Sequence, residues 1–321
     1  MKHILVTGGN GFIGKNLMHC LIRTDHKVVF LEKPDYARDS RKKRDHKIIK
    51  KDLVTYNPKE GLSKGFDIII HLAGNLITDK FINEPEPPFF QNIYSTLNIL
   101  EDIRQNNKDC LLIFTSTEKV YGNVDSNAAK KAVDEEAPCT PIDAYGTSKL
   151  ICELLIKEYH LKFGINYIIF RPANVFGQHQ KHGLFIPSIL TKVSKGDKEI
   201  IVGNLGKYRN FVYVTDLIDA IINSIDNSNA QNNIFNIGSY NLKIEDVLKT
   251  ILEISKEFIK SDVKIVQDAK LFRPLRYETE RFILDCEKAS KILRWKPRYK
   301  FEEAIRKTTS YYLNHLGKKR G

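Results

Sequence analysis

A phenol and an ammonium stand four residues apart in Tyr145-Gly-Thr-Ser-Lys149, a spacing that puts both on one face of a helix. A neighbouring ammonium lowers a phenol's pKa, so Tyr145 is expected to take and return a proton near neutral pH. The pair alone is a weak signal, since 14 tyrosines in a lysine-rich chain produce one such pair by chance. Tyr145 is nevertheless the one tyrosine followed by lysine at that distance, and it opens a helical stretch. A hydroxyl donor stands at Thr117, just beyond the apolar run Leu111–Thr115. The second chemistry is phosphate binding. Gly8-Gly-Asn-Gly-Phe-Ile-Gly14 follows the apolar run Ile4–Thr7 and opens the helical pattern Ile13–Arg23. Gly8, Gly11 and Gly14 recur every third residue, which permits a tight turn and brings backbone, with Phe12 and Ile13, against a pyrophosphate at a helix N-terminus. Glu32, ending the next apolar run, can hydrogen-bond the adenosine ribose hydroxyls. Its charge favours NAD over NADP, although Lys33, Arg38 and Arg41 could neutralise a 2′-phosphate and leave NADP open.

These groups need a scaffold, and the sequence supplies one. Apolar, β-branched runs at Ile4–Thr7, Val28–Leu31, Ile48–Lys50, Asp67–His71, Leu111–Thr115 and Tyr167–Arg171 read as strands buried on both faces. Helical patterns at Ile13–Arg23, Phe89–Gln105 and Tyr145–Phe163 fall between them. Strand–helix repetition implies an α/β fold: a Rossmann-type doubly wound parallel sheet with right-handed crossovers. Ligands in such sheets bind at the carboxyl ends of strands, where Thr117 falls. After Arg171-Pro172 the rhythm loosens. Helical patterns at Ile186–Lys195, Thr215–Ser224, Ile244–Glu257 and Phe301–Leu316 alternate with short strands at Glu199–Val202, Ile234–Ile237 and Val263–Val266. This half reads as a smaller α+β substrate lobe. The expected division is a dinucleotide-binding domain over 1–172 and a lobe over 173–321, with part of 208–240 returning to the first domain.

Composition narrows the class. A 321-residue chain with 42% hydrophobic and 28% charged residues is a globular protein, not a disordered tail or a coiled coil. No apolar run approaches the ~18–20 residues needed to cross a bilayer, and the N-terminus lacks the apolar length of a signal peptide. A soluble, cytoplasmic protein is expected, without membrane partners. The 5 cysteines, an odd number without a C-x-x-C pair, read as reduced thiols. The net charge of +12 raises the question of nucleic acid, but the basic residues lack aromatic interleaving and fit no DNA-binding motif, so none is expected. A basic surface also suits a polyanionic small molecule. No metal is expected: His179 and His182 share a loop without a carboxylate, and His71 ends a buried strand as a core imidazole. Trp295 and Phe301 read as core.

The order of motifs is more specific than any one of them. Thr7–Gly14, Asp52-Leu53, His71-Leu72-Ala73-Gly74, Asn92, Thr115-Ser-Thr-Glu-Lys-Val-Tyr-Gly122, Tyr145–Lys149, Arg171-Pro-Ala-Asn-Val-Phe-Gly177, Arg209-Asn-Phe211 and Arg273-Pro274 run nearly end to end. The chain resembles an extended short-chain dehydrogenase/reductase of the NAD-dependent nucleotide-sugar epimerase/dehydratase family. By that resemblance Thr117, Tyr145 and Lys149 are the catalytic set. Tyr145 would exchange a proton with the sugar C4 hydroxyl while hydride passes between C4 and the nicotinamide. Lys149 would hold the nicotinamide ribose, and Thr117 the C4 oxygen. Asp52 and Leu53 resemble adenine contacts, and Leu72, Ala73 and Asn92 lie beside the cofactor. Asn174, Arg209 and Arg273 would grip the substrate's diphosphate and ribose, two arginines suiting a dianion.

Three departures bear on the reaction. Thr117-Glu118-Lys119 stands where dehydratases carry Thr-Asp-Glu or Thr-Asp-Lys, so Glu118, a substrate contact by the resemblance, is one methylene longer than the expected acid and is read as peripheral to the C4 chemistry. Position 210 is Asn where the family has Asp, and Leu275-Arg276 replaces a usual Gly-Asp. The expectation is C4 epimerisation of a nucleotide-diphosphate sugar through a 4-keto intermediate. Ketoreduction ranks next and 4,6-dehydration last. A non-catalytic NAD-binding scaffold is the alternative of another class, and it has no use for a proton-transferring tyrosine. The resemblance also implies a homodimer formed through Phe89–Gln105 and Tyr145–Phe163, with Leu150, Leu154 and Leu155 as an apolar face.

Overall fold

The computed structural model describes residues 1–35, 47–75, 86–123, 132–180, 183–259, 263–272 and 282–316. Strands β1 (His3–Thr7), β2 (Lys27–Glu32), β3 (Lys47–Lys50), β4 (Ile68–His71), β5 (Leu111–Thr115) and β6 (Tyr167–Pro172) form where the apolar runs lie. A later strand, β10 (Asn233–Ile237), joins them in one parallel sheet of order β10-β6-β5-β4-β1-β2-β3. The fold is α/β and Rossmann-like. Alternate residues of each strand enter two different cores. Ile4, Val6, Ile68, Ile70 and Ile113 pack on one face, and Leu5, Ile69, Leu112 and Phe114 on the other. A strand covered on both faces has no polar side, hence the unbroken apolar runs.

Helix α1 (Phe12–Leu21) buries Leu17, Met18 and Leu21 against the first core. Helices α2 (Glu86–Asn106) and α3 (Ala144–Phe163) pack on each other and on the second core, through Ile99, Ile103, Cys152 and Ile156. The remaining helices are α4 (Phe185–Lys195), α5 (Val214–Ile225), α6 (Ile244–Lys256), α7 (Glu287–Leu293) and α8 (Phe301–Leu316). Trp295 is core, its indole N–H donating to the Asp216 carbonyl at 2.7 Å, and Phe301 is buried too.

In the second half the expected strands form at β8 (Glu199–Val202) and β12 (Lys264–Gln267), which pair with each other. Three further strands that sequence periodicity does not announce, β7 (Asn174–Phe176), β9 (Tyr208–Tyr213) and β11 (Tyr240–Lys243), form a sheet of order β11-β9-β7. β7 is short and follows Pro172 directly, β9 opens on Tyr208-Arg-Asn, and no residue of β11 is fully buried. Such strands are held by cross-strand neighbours rather than by their own patterning. Helix α7 was also unannounced, and its N-cap, Cys286, makes no side-chain capping bond.

Candidate active site

Gly8, Glu32, Leu72 and Thr117 stand at or just past the carboxyl ends of strands of the large sheet, Tyr145 and Lys149 on helix α3, and Asn174 and Arg209 on β7 and β9 of the smaller sheet. The chain leaves β1 into Gly8 and leaves β4 into Leu72, on strands that are direct neighbours with Thr7 opposite His71. Between them the strand order reverses, and this is where a doubly wound sheet opens a crevice. Gly8 has φ +73° and donates its N–H to the Leu31 carbonyl at 3.0 Å. A methyl group on Gly14 would lie 2.3 Å from the Gly8 carbonyl oxygen and 2.6 Å from Gly9 Cα, so only hydrogen fits there. Helix α1 starts behind this turn with Gly11 as its N-cap, no capping side chain and no acidic residue in its first turn. Its first N–H groups are thus left for an anion.

Glu32, at the end of β2, is 5% exposed, and its carboxylate accepts the Asn10 backbone N–H. Lys33, expected as a neutraliser of a 2′-phosphate, instead pairs with Asp52 at 3.1 Å. Asp52 also caps the Val54 N–H at 3.0 Å, and the Leu53 carbonyl accepts from Asn98 at 2.8 Å. Arg38 and Arg41, as well as His182 and Arg273-Pro274, lie outside the described residues.

His71 is a satisfied core imidazole. The Thr96 hydroxyl donates to the Asn92 carbonyl at 2.9 Å, so it accepts from His71 Nε2 at 3.2 Å, and Nδ1 then accepts from Thr7 Oγ1 at 2.7 Å. Complete burial, then Lys149, lowers its pKa to about 3, which keeps it neutral. The Asn92 side chain accepts the Asn75 N–H at 2.8 Å and donates to Ser148 Oγ at 3.1 Å.

Thr117 follows β5 and caps a short 3-10 turn over Glu118–Tyr121, its Oγ1 accepting from the Lys119 N–H at 3.3 Å. That leaves its hydroxyl proton for donation. The turn stands on a rigid base. Tyr121 Oη donates to Asn236 Oδ1 at 2.7 Å and accepts from Arg171 Nη1 at 2.9 Å. Arg171 itself is paired with Glu153 in full burial, its Nη2 2.7 Å from Oε2.

Tyr145 opens α3, whose N-cap Asp143 accepts the Gly146 N–H at 2.6 Å. Lys149 Nζ donates to the Thr115 carbonyl at 2.9 Å and lies 4.6 Å from the centre of the Phe114 ring. The expectation that the ammonium lowers the phenol's pKa is not met in this state. Burial first, with Asp143 adding to it, pushes Tyr145 above the ordinary phenol range, and burial lowers Lys149. With Lys149 held by a carbonyl and a ring face, desolvation of the phenolate prevails.

Glu118 was expected as a peripheral acid and is buried instead, 6% exposed. Its Oε1 accepts from Asn174 Nδ2 at 2.7 Å and its Oε2 from Asn210 Nδ2 at 2.9 Å. Burial raises its pKa to about 7, against the lowering effect of Asn210, Lys119 and Arg209. Lys119 Nζ lies 3.7 Å from Asp143 Oδ2.

A cleft of about 470 Å³ joins these groups. It brings together Gly8, Gly11, Phe12, Ile13 and Gly14 from the loop, Leu72 from β4, and Thr117, Glu118, Tyr145 and Lys149. Asn174 and Arg209 line it as well. Glu32, Lys33, Asp52, Leu53, Ala73 and Asn92 do not line it. Gln180, which shares the His179–His182 loop placed beside the cleft from sequence, does line it, whereas sequence reasoning missed Leu271 as a lining residue and Asn210 and Asn241 as supports. Only position 210 carried a signal, as a departure from the family pattern.

The family model described as "NAD dependent epimerase/dehydratase family" matches residues 4–238. The dTDP-glucose 4,6-dehydratase of Haemophilus influenzae is 28% identical over 335 aligned positions, covering 98% of this chain and 98% of that protein. Among solved structures, the chain is similar to the UDP-N-acetylglucosamine 4-epimerase of Methanobrevibacter ruminantium in complex with UDP-N-acetylmuramic acid. There the TM-score is 0.82 at 26% identity, over 98% of this chain and 99% of that one. The UDP-glucose 4-epimerase of Thermotoga maritima, with UDP-glucose, matches the fold with a TM-score of 0.84 at 24% identity, over 98% and 99% of the two chains.

Proposed function

The chain belongs to the NAD dependent epimerase/dehydratase family, and from that premise we propose that it interconverts C4 epimers of a nucleotide-diphosphate sugar through a 4-keto state. One observation carries this reading: Thr117, Tyr145 and Lys149 line one cleft with the glycine loop. Gly8 and Gly14 leave a cradle that a Cβ would fill, beside an uncapped helix N-terminus, which fits a dinucleotide pyrophosphate. Glu32, tied to the Asn10 N–H, would hold the adenosine ribose, and the engagement of Lys33 by Asp52 favours NAD over NADP. Bound there, NAD supplies a hydride acceptor and donor. Tyr145 takes the C4 hydroxyl proton and gives it back, Thr117 donates a hydrogen bond to the C4 oxygen, and Lys149 stands over the nicotinamide ribose. Arg209 grips the diphosphate; the same role for Arg273 falls outside the described residues.

The reading includes two lobes, 1–172 for the dinucleotide and 173–321 for the sugar nucleotide, with β10 returning to the large sheet. A homodimer through α2 and α3 is supported by the exposed Phe90, Tyr94, Leu154 and Leu161 on those helices. Leu150 and Leu155, expected on that face, pack partly into the cores instead. Cytoplasmic residence is supported by five free cysteines; among the described residues, no helix is long and apolar enough to cross a membrane.

A second reading, 4,6-dehydration, is favoured by Glu118, a carboxyl buried beside Thr117 with its pKa raised to about 7. Product analysis of the NAD-loaded protein with nucleotide hexoses separates the two. Epimerisation gives both C4 isomers without net NADH, and dehydration gives a 4-keto-6-deoxy sugar with loss of water. Net consumption of added NAD(P)H would instead identify a ketoreductase.

A further inference from the structure

Next to Thr117 the cleft wall is a chain of committed hydrogen bonds. Asn174 Nδ2 donates to Glu118 Oε1 at 2.7 Å and to the Asn210 carbonyl at 2.9 Å. Asn210 Nδ2 donates to Glu118 Oε2 at 2.9 Å, and its Oδ1 accepts from Asn241 Nδ2 at 2.8 Å. Asn241 Nδ2 is anchored in turn on the Phe282 carbonyl at 2.9 Å. A carboxylate only accepts, so the network fixes which end of each amide faces it. Both N–H groups of Asn174 are engaged inside the protein, and Oδ1 is the polar atom it keeps. Gln180, on the same cleft, follows suit. Its Nε2 donates to the Val175 carbonyl at 2.8 Å, and its Oε1 is buried without a partner among the described residues.

Glu118, Asn174 and Gln180 therefore meet a ligand with acceptors. Thr117, Glu118 and Tyr145 line one cleft, so a sugar whose reacting oxygen sits at Thr117 and Tyr145 places neighbouring substituents against Glu118. We infer that these substituents are hydrogen-bond donors, and that Glu118, aimed by Asn174 and Asn210, selects nucleotide hexoses and rejects nucleotide hexuronates. The inference rests on the nucleotide-sugar reading above. A uronate would set its carboxylate against Glu118 in a desolvated wall, where like charges repel strongly and the Asn174 and Asn210 N–H groups are already given to Glu118 and the Asn210 carbonyl. The neighbouring cations do not reverse this. Lys119 lies 3.7 Å from the Asp143 carboxylate, and Arg209, which donates to the Tyr208 carbonyl at 2.8 Å, is the group for the diphosphate.

The test is calorimetry on the NAD-loaded protein at pH 8.5, where Glu118 is ionised. UDP, dTDP and GDP are titrated first, and the nucleotide that binds selects the glucose and glucuronic acid conjugates to compare. The wild type is expected to bind the hexose conjugate about thirtyfold or more tightly than the hexuronate. Glu118→Gln, which keeps the shape, and Glu118→Ala, which clears the wall, should each bring that ratio within about threefold. Equal affinities in the wild type, or a ratio unchanged in both variants, would overturn the inference alone. If none of the three diphosphates binds, the nucleotide-sugar reading falls and takes this inference with it.

Discussion

The glycine loop and the Glu118 wall line one cleft and are built on opposite principles. The loop is a backbone device. Its geometry is set within seven residues by Gly8, Gly11 and Gly14, because close approach and positive φ are properties of glycine itself. The wall is a side-chain device assembled over long sequence distance: Glu118 from the turn after β5, Asn174 from β7, Asn210 from β9 and Asn241 from β11. Local backbone sites tolerate little change and serve many reactions, whereas assembled walls vary cheaply and set which substrate is taken.

The largest effect is expected where the two devices meet. Tyr145→Phe removes the proposed proton carrier while keeping the ring at the helix start, so turnover should fall at least a hundredfold while NAD affinity stays within about threefold. Steady-state rates and a cofactor titration check it. A variant keeping more than a hundredth of the rate would place another acid–base group in the cleft.

Gly14→Ala breaks the loop side of the comparison. The new methyl would meet Gly8 O at 2.3 Å and Gly9 backbone at 2.6 Å, and backbone cannot step aside as a flexible side chain can. Overpacking of this kind costs about 1–3 kcal/mol, and NAD binding should weaken with it. Thermal unfolding with and without NAD reads both. The loss should be the same at pH 6 and pH 8, since no titrating group takes part.

The contrast between the devices also sets what was legible in the sequence. The seven-stranded sheet follows from runs such as Ile68–His71, buried on both faces and so apolar at every position but the last. The loop, Glu32 and the Tyr145–Lys149 pair follow from spacing on single elements. The sheet of β7, β9 and β11 could not be read, because Asn174 and Tyr208-Arg-Asn are polar where they face the cleft and one another. The engagement of Lys33 by Asp52 and the depth of Glu118 depend on tertiary neighbours that no local pattern encodes.

Asn210→Asp tests the wall through its pH dependence. It would set a second carboxylate 2.9 Å from Glu118 Oε2, and two such groups cannot both ionise; they share a proton. Turnover at pH 8 should fall about tenfold and recover toward pH 6, where the shared proton restores the hydrogen bond. Initial rates across that range decide it, and a pH-independent loss would make Asn210 a packing residue only.

The smallest effect concerns stability. Burial raises Glu118 to about 7 from an ordinary value of 4.5, so the folded protein holds this proton more tightly than the unfolded chain. Its contribution to stability is therefore full below pH 4.5 and declines as the pH rises toward 7, where the buried group must ionise. Glu118→Gln does not titrate and escapes that decline. Its amide NH2 group would face an asparagine NH2 group and lose one bond at every pH, so the wild type should lead in melting temperature at pH 5, and that lead should shrink by about 2–4 °C by pH 8 in a chain of this size. The cost is carried at pH 8 because an ionised acceptor there reads the sugar, a function for which a neutral amide is a poorer substitute. A lead that stays the same from pH 5 to pH 8 would mean that Asn174 and Asn210 offset the burial of the charge completely. The wall would then be a structural fixture like the glycine loop, and the difference between the two sides of the cleft would lie only in how far apart in sequence their parts are drawn from.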